Sequence, residues 1–391
     1  MTPEQGRQAA QLAFVASGQP LELGDRAQLP LPLAELLQLT ADSPHVVEAI
    51  ESGLTAQVLR VRVPGSRGGG GAGGCDFTLK RKRAQSLVQN IDGQTSFLNE
   101  VQRRSELAAL VRAPAASPGA SGVPEDELAV LRAHLVPTVY ASWLDGVICS
   151  PWLDGHHLQR FEPRVFDQVF AVIVALELAG FFEWDLCHRN VIDDGERIAL
   201  FDFGYMVRFD PRRAFNSNGL STPLFHGIER FETRSFFGFL LHRAAQLDEA
   251  AALALYQVEK QLALAHYQRK HQRLVALGAA PEILSWQAAI NVTWAQALTS
   301  PAALQRRYLI ESFRSHVLDL LDDVHGKTCS ARTLARADTV LALLRDHHTL
   351  LREDSALFFG DEHLTQPQLL ERYRALREQA LALQLPAEQQ T

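Results

Sequence analysis

Phe181-Phe-Glu-Trp-Asp185-Leu-Cys-His-Arg-Asn190-Val-Ile-Asp-Asp-Gly-Glu-Arg-Ile-Ala-Leu-Phe-Asp202-Phe-Gly-Tyr205 is the stretch whose reading decides this chain. Its polar residues in apolar company are Asp185, Asn190 and Asp202, separated by five and then twelve positions. Val191-Ile192 and Ile198 to Phe201 flank the polar turn Asp193-Asp194-Gly195-Glu196. Short apolar runs around a glycine-containing turn predict two buried strands joined as a hairpin. Both polar sets then emerge from one hairpin. An ordinary hairpin with two capping aspartates would look similar, so the flanking chain has to discriminate.

Upstream, Val46 to Ile50 and Ala56 to Val63 read as strands, the second alternating Leu59, Val61 and Val63 against Val58, Arg60 and Arg62. The turn between them contains Gly53. The glycine run Gly65 to Gly74 lacks a strand-turn-strand frame and reads as a flexible connector rather than a phosphate cradle. Cys75 to Lys80 is a further strand, and a helix predicted over Thr95 to Val111 presents Glu100, with Glu106 as the other acidic candidate. The run Lys80-Arg81-Lys82-Arg83, taken alone, equally fits a solvated edge strand or a nucleic-acid patch.

Residues 113 to 126 are rich in Ala, Pro, Ser and Gly and read as a disordered loop. Asp145-Gly146 between Thr138–Leu144 and Val147–Trp152 is the strongest short hairpin signal in the chain. Pro163 to Gly180 is an apolar helix. Residues 1 to about 45 read as two short helices, Pro3–Val15 and Pro32–Leu39, with no assignable chemistry. From about Arg234 onward the chain is helical, with turns near Pro281, Pro301 and Gly326. The histidines of that region show no metal spacing.

A chain of 391 residues with net charge −7 has no global basic field, which argues against nucleic acid as the main partner. The longest apolar run, Val169 to Phe182, contains Glu177 and is too short to span a bilayer. Cys75, Cys149, Cys187 and Cys329 are irregularly spaced and offer neither a disulfide framework nor a zinc site. These features, with the richness in Ala, Leu, Gln and Arg, give the expectation of a cytoplasmic bacterial protein; secretion into a host cell as an effector is an alternative that rests on a family resemblance and not on these features. Oligomeric state is not readable.

Phe77-Thr-Leu-Lys80, Glu100, Asp185-Leu-Cys-His-Arg-Asn190, Asp202-Phe-Gly204 and Thr222-Pro-Leu-Phe-His-Gly-Ile-Glu229 together resemble, in order and spacing over roughly residues 45 to 240, the eukaryotic-type protein kinase superfamily. The resemblance implies an α+β, two-lobed protein-kinase-like fold: a small antiparallel-sheet lobe with one main helix, then a large helical lobe. The domain boundaries it implies are an N-terminal helical extension (1–44), the small lobe (45–152), the core of the large lobe (153–245) and a C-terminal helical region (246–391).

The same resemblance implies ATP and Mg²⁺ as cofactors. Asp185 orients the acceptor hydroxyl, Asn190 and Asp202 hold Mg²⁺, and Lys80 paired with Glu100 holds the phosphates. Arg189 touches the γ-phosphate in place of the lysine that the serine/threonine kinases carry, because Cys187 stands at that position. Gly53 lies in the nucleotide-covering turn. Ser150, Pro151 and Leu153 form the adenine-binding hinge, where the small Ser150 should leave apolar volume behind the purine. Trp184 replaces the arginine that receives an activating phosphate in regulated kinases.

The implied activity is phosphoryl transfer to a protein serine or threonine, with a protein substrate as partner. A small-molecule kinase (for a sugar or antibiotic) and a catalytically silent kinase-like scaffold are the alternatives.

Overall fold

The computed structural model describes residues 2–50, 55–64, 74–88, 90–112, 122–243 and 246–385. The chain divides into two compact units, one of residues 1–156 and 192–207, the other of residues 157–191 and 208–390. The secondary structure is mixed α+β, with an antiparallel-sheet N-terminal region and a larger helical C-terminal part.

The first unit is built on six antiparallel strands: β1 (Glu22–Gly24), β2 (Val46–Ile50), β3 (Ala56–Val63), β4 (Cys75–Lys82), β5 (Tyr140–Ser142) and β6 (Val147–Pro151), in the order β1-β5-β6-β4-β3-β2. Its helices are α1 (Pro3–Ser17), α2 (Leu33–Gln38), α3 (Ile91–Arg112) and α4 (Glu125–His134). Alternation along each strand sorts the side chains onto two faces. Leu59, Val61, Leu79, Val147 and Cys149 share one face with Leu36 and Leu39 of the α2 region. Ala56, Ala141 and Ile148 share the other with Phe97, Leu98 and Val101 of α3.

Strand register decides which residues face α3. Lys80 pairs with Ile148, and Thr78 with Ser150, so Lys80 and Ser150 lie on the α3 side of the sheet. The β5–β6 turn depends on Gly146, whose φ of 68° is a left-handed conformation that side-chain-bearing residues rarely adopt.

Residues 1–44 carry, besides α1 and α2, the strand β1, which pairs with β5 from Glu22↔Ser142 to Gly24↔Tyr140, and the described part of the stretch falls in the first unit. At three residues, with Gly18 and Pro20 just before it and Gly24 as its last residue, this strand is too short to show a period in the sequence. Of the loop expected over 113–126, residues 113–121 lie outside the described residues. Glu125 and Asp126 instead open α4, preceded by Pro124 and with three acidic residues in its first turn, a favourable start for a helix. The glycine run 65–73 and residues 51–54 also lie outside the described residues.

The second unit holds α5 (Pro163–Leu178), α6 (Gly227–Phe231), a π-helical turn over Glu232–Phe236, α7 (Phe237–His242), α8 (Glu249–Ala276), α9 (Pro281–Ala297), α10 (Pro301–Gly326), α11 (Ala331–Glu353) and α12 (Gln366–Ala382). Phe166 and Phe170 of α5 stack at 5.9 Å and meet Phe231 and Phe236 edge-on. A second core forms around Phe313, Val317, Val340, Leu344, Leu369 and Tyr373 of α10, α11 and α12. Between helices, Lys260 is enclosed by the carboxylates of Glu232, Glu259 and Glu311, with Arg314 on Glu232. A charged cluster this deep is stable only because every cation has a partner. Among the described residues, no helix is long and apolar enough to cross a membrane.

Candidate functional site

In the first unit three of the sequence-selected residues meet. Lys80 Nζ donates to Glu100 Oε2 at 2.7 Å and to Asp202 Oδ2 at 2.8 Å. Lys80 and Glu100 are almost fully buried, whereas the Asp202 side chain keeps 28% of its exposure. Burial alone would lower the Lys80 pKa, but the charges of Asp202 and Glu100 outweigh it, and the amine is held above its ordinary value. Burial likewise works against ionised Asp202, yet Lys80 and the Gly204 amide bring its pKa below the usual range. Both groups are therefore charged at neutral pH. The Gly204 N–H reaches Asp202 Oδ1 at 3.0 Å.

Arg104, which the sequence reading missed, completes this cluster. It stands one helical turn after Glu100 and donates to Glu100 Oε1, to the Phe201 carbonyl at 2.5 Å, to Thr138 Oγ1 and to Ser150 Oγ at 3.3 Å. Its guanidinium also lies 4.9 Å from the centre of the Phe203 ring. The only sequence signal was an acid–base pair at i, i+4, which is common on solvated helix faces. Glu106, the other acidic candidate on this helix, pairs with Arg103 at 2.9 Å.

The expectation of open apolar volume beside Ser150 is corrected by this arrangement. Ser150 is buried, and the guanidinium of Arg104 occupies the space next to its hydroxyl, so the wall there is polar and filled. Past Ser150, β6 ends at Pro151, and the Trp152 N–H returns to the Asp76 carbonyl at 3.0 Å. The backbone N–H of Leu153 donates no hydrogen bond among the described residues. Gly53 lies outside the described residues.

In the second unit, Asp185, Arg189 and Asn190 sit on a loop that follows the short strand Phe181–Glu183. Asn190 Nδ2 donates to the Asp185 carbonyl at 2.9 Å and to Asp185 Oδ2 at 3.2 Å. Glu183 Oε1 accepts the Asp185 N–H at 2.8 Å, and Ser235 Oγ donates to the Leu186 carbonyl at 2.7 Å. Arg234, on the π-helical turn, places Nε 3.0 Å from Asp185 Oδ1 and pairs Nη1 with Asp319. The extra residue in a π turn re-aims the side chains beyond it, and such turns concentrate at functional sites. Arg234 was not foreseen, because nothing local in sequence joins it to residue 185. His188 is pushed down to about 3, first by burial and then by Arg332 and Arg189, so its imidazole is neutral.

Taken singly, each within its own unit, Asn190 and Asp202 offer oxygens of the kind that hard divalent cations take. Asn190 has its nitrogen committed to Asp185, and its Oδ1 takes no hydrogen bond among the described residues. Asp202 offers an ionised, partly exposed carboxylate. Hard divalent cations take oxygen ligands of this kind. Among the described residues, no group of three His, Cys, Asp or Glu side chains could hold a metal by itself. Mg²⁺ at nucleotide sites characteristically relies on one or two protein carboxylates plus substrate phosphates, so a full protein cage is not required. No family model matches the chain, and no curated protein matches it either.

Proposed function

We propose that the protein is an ATP- and Mg²⁺-dependent phosphotransferase of the protein kinase superfamily, acting on a serine or threonine of a protein substrate. The observation that carries this reading is the buried Glu100–Lys80–Asp202 triad, in which Lys80 reaches residues 20 and 122 positions away. A lysine held between two carboxylates has a fixed position and a permanent charge, which are the properties needed to grip phosphate oxygens.

In this reading Lys80 holds the phosphates and Glu100, steadied by Arg104, fixes Lys80. Asp202 and Asn190 would hold Mg²⁺, which when bound neutralises phosphate charge. Asp185 orients the acceptor hydroxyl and accepts its proton, and Arg189 supplies a further cation for the γ-phosphate. Pro151 and Leu153 would present backbone groups to adenine. Incubation of the full chain with γ-labelled ATP and Mg²⁺ tests the reading: ATP consumption and labelled protein are expected, both lost in Asp185→Ala. Absence of ATP consumption by the native chain contradicts it.

One observation favours a second reading, a kinase-like binding scaffold without turnover. Asp185 Oδ1 is already engaged by Arg234 Nε at 3.0 Å, so that oxygen is occupied before an acceptor hydroxyl arrives. Nucleotide binding without consumption would select the scaffold.

A further inference from the structure

The N-terminal helix carries a hydrogen-bonded connection to the Asp202 turn, within the first unit, that the phosphotransferase reading does not use. Arg7 grips the first turn of α3 through two bonds to Asp92, at 2.7 and 3.0 Å. One turn later Gln11, only 7% exposed, points its carboxamide at α3. Its Nε2 donates to Asn99 Oδ1 at 3.2 Å and to Gln102 Oε1 at 2.7 Å. Asn99 Nδ2 in turn donates to the backbone carbonyls of Gly204 at 3.0 Å and Met206 at 2.7 Å.

A carboxamide has one accepting and one donating end. Gln11 takes the accepting end of Asn99, which leaves the donating end for the two carbonyls. Were Asn99 to flip, an NH₂ would face Gln11 and an oxygen would face two carbonyl oxygens, so all three bonds would be lost together. The Gly204 N–H bonds to Asp202 Oδ1, and a Cβ at Gly204 would lie 3.3 Å from that oxygen and 3.5 Å from Ser96 Cβ on α3. The turn is thus pressed onto α3, and its carbonyls are held by a residue whose orientation Gln11 of α1 and the two carbonyls support together.

We propose that Gln11 is a positioning residue for the Asp202 turn, acting through Asn99, so that the docked N-terminal helix holds the turn in the arrangement that binds metal and nucleotide. The functional half of this inference rests on the phosphotransferase reading; the relay itself does not. If α1 served only as packing, with Phe14 covering the α3 face of the sheet, side-chain bulk at position 11 would suffice.

Gln11→Leu separates the two cases, because it keeps the bulk and removes the carboxamide. Arg7→Ala loosens the same helix from outside the buried contact, and Leu12→Gln, on the exposed side, is the control. Amide hydrogen exchange on the full chain without nucleotide is the first readout. Loss of one buried bond, about 1 kcal/mol, is expected to speed exchange at Gly204 and Met206 by ~5-fold in Gln11→Leu. Arg7→Ala should act in the same direction and less, with Leu59 and Leu79 in the sheet unchanged. Calorimetric titration with Mg-ATP is the second readout, and affinity should fall by a similar factor in Gln11→Leu and stay constant in Leu12→Gln. Unchanged exchange at Gly204 and Met206, or equal acceleration throughout the sheet, overturns the relay. Local acceleration in Gln11→Leu, together with a native chain that does not bind Mg-ATP, overturns the phosphotransferase reading and the functional half of this inference, and leaves the relay established.

Discussion

Arg104 donates twice to Oε1 of Glu100, from Nε at 2.9 Å and Nη2 at 2.8 Å, and so leaves Oε2 to Lys80. One buried carboxylate is thereby shared between two cations, and neither can be removed without exposing the imbalance. Arg104→Met also removes the donor that serves the Phe201 carbonyl and the Thr138 and Ser150 hydroxyls. Breaking a buried ion pair from one side costs about 3 kcal/mol. Urea unfolding of Arg104→Met is expected to show a loss of that order with an unchanged slope. A midpoint equal to that of the native chain contradicts the shared-carboxylate description.

The polar wall beside Ser150 leads to a second expectation. N6-benzyl-ATP should fail to compete with ATP on the native protein, because its apolar ring would have to displace a guanidinium that is hydrogen-bonded to Glu100, Thr138, Ser150 and the Phe201 carbonyl. Ser150→Met should lower stability rather than change nucleotide selectivity. Tight binding of the benzyl analogue would show that Arg104 leaves the site freely.

How much of this was legible in the sequence depended on the range of the interaction. The strands β2, β3 and β6 come directly from alternation and from Asp145-Gly146. The helix carrying Glu100 was found from Phe97, Val101 and Leu107, although α3 begins four residues earlier, at Ile91. The meeting of Lys80, Glu100 and Asp202 is in keeping with strand parity, since Lys80 shares a face with Ile148 and therefore with α3. Arg104 was legible in principle, as the next turn of the same helix. Arg234 was not, because only the fold brings it to a residue 49 positions away, and the π turn that aims it has no local sequence signal. The Gln11–Asn99 bond spans 88 positions and was equally invisible.

Trp184 underlies a third expectation, concerning regulation. Its indole Nε1 donates to Ser217 Oγ at 2.9 Å and its ring meets Phe182 and Phe225 edge-on, so the segment around Ser217 is anchored without a phosphate. Activity should be indifferent to phosphatase treatment. Loss of most of the activity after dephosphorylation would contradict this anchoring role.

Asp323 gives a fourth expectation, a pH dependence that requires no assumption about function. Burial and the neighbouring Asp319 raise its pKa to about 7, against the opposing pull of Arg234, the Thr333 hydroxyl and Arg336. The folded state therefore binds a proton more tightly than the unfolded chain between about pH 4 and pH 7. Stability contributed by that proton is complete below the unfolded value and declines as pH rises through 7. Asp323→Asn mimics the protonated form. It should match the native protein near pH 4 and exceed it at pH 8 by on the order of 4 kcal/mol in chemical unfolding, about three pKa units at about 1.4 kcal/mol each. A variant that is less stable than the native protein at pH 8 would show that the ionised carboxylate stabilises the folded state, and would contradict the raised pKa.

The central claim is that the Glu100–Lys80–Asp202 triad is a site for metal and nucleotide, and calorimetric titration of Mg-ATP into the native chain, Lys80→Met and Asp202→Ala tests it most directly. The account expects saturable binding by the native protein that weakens when Mg²⁺ is withheld. Lys80→Met should lose affinity with or without the metal, whereas Asp202→Ala should lose the Mg²⁺-dependent part alone. Absence of binding by the native chain, or equal binding by all three proteins, would contradict it.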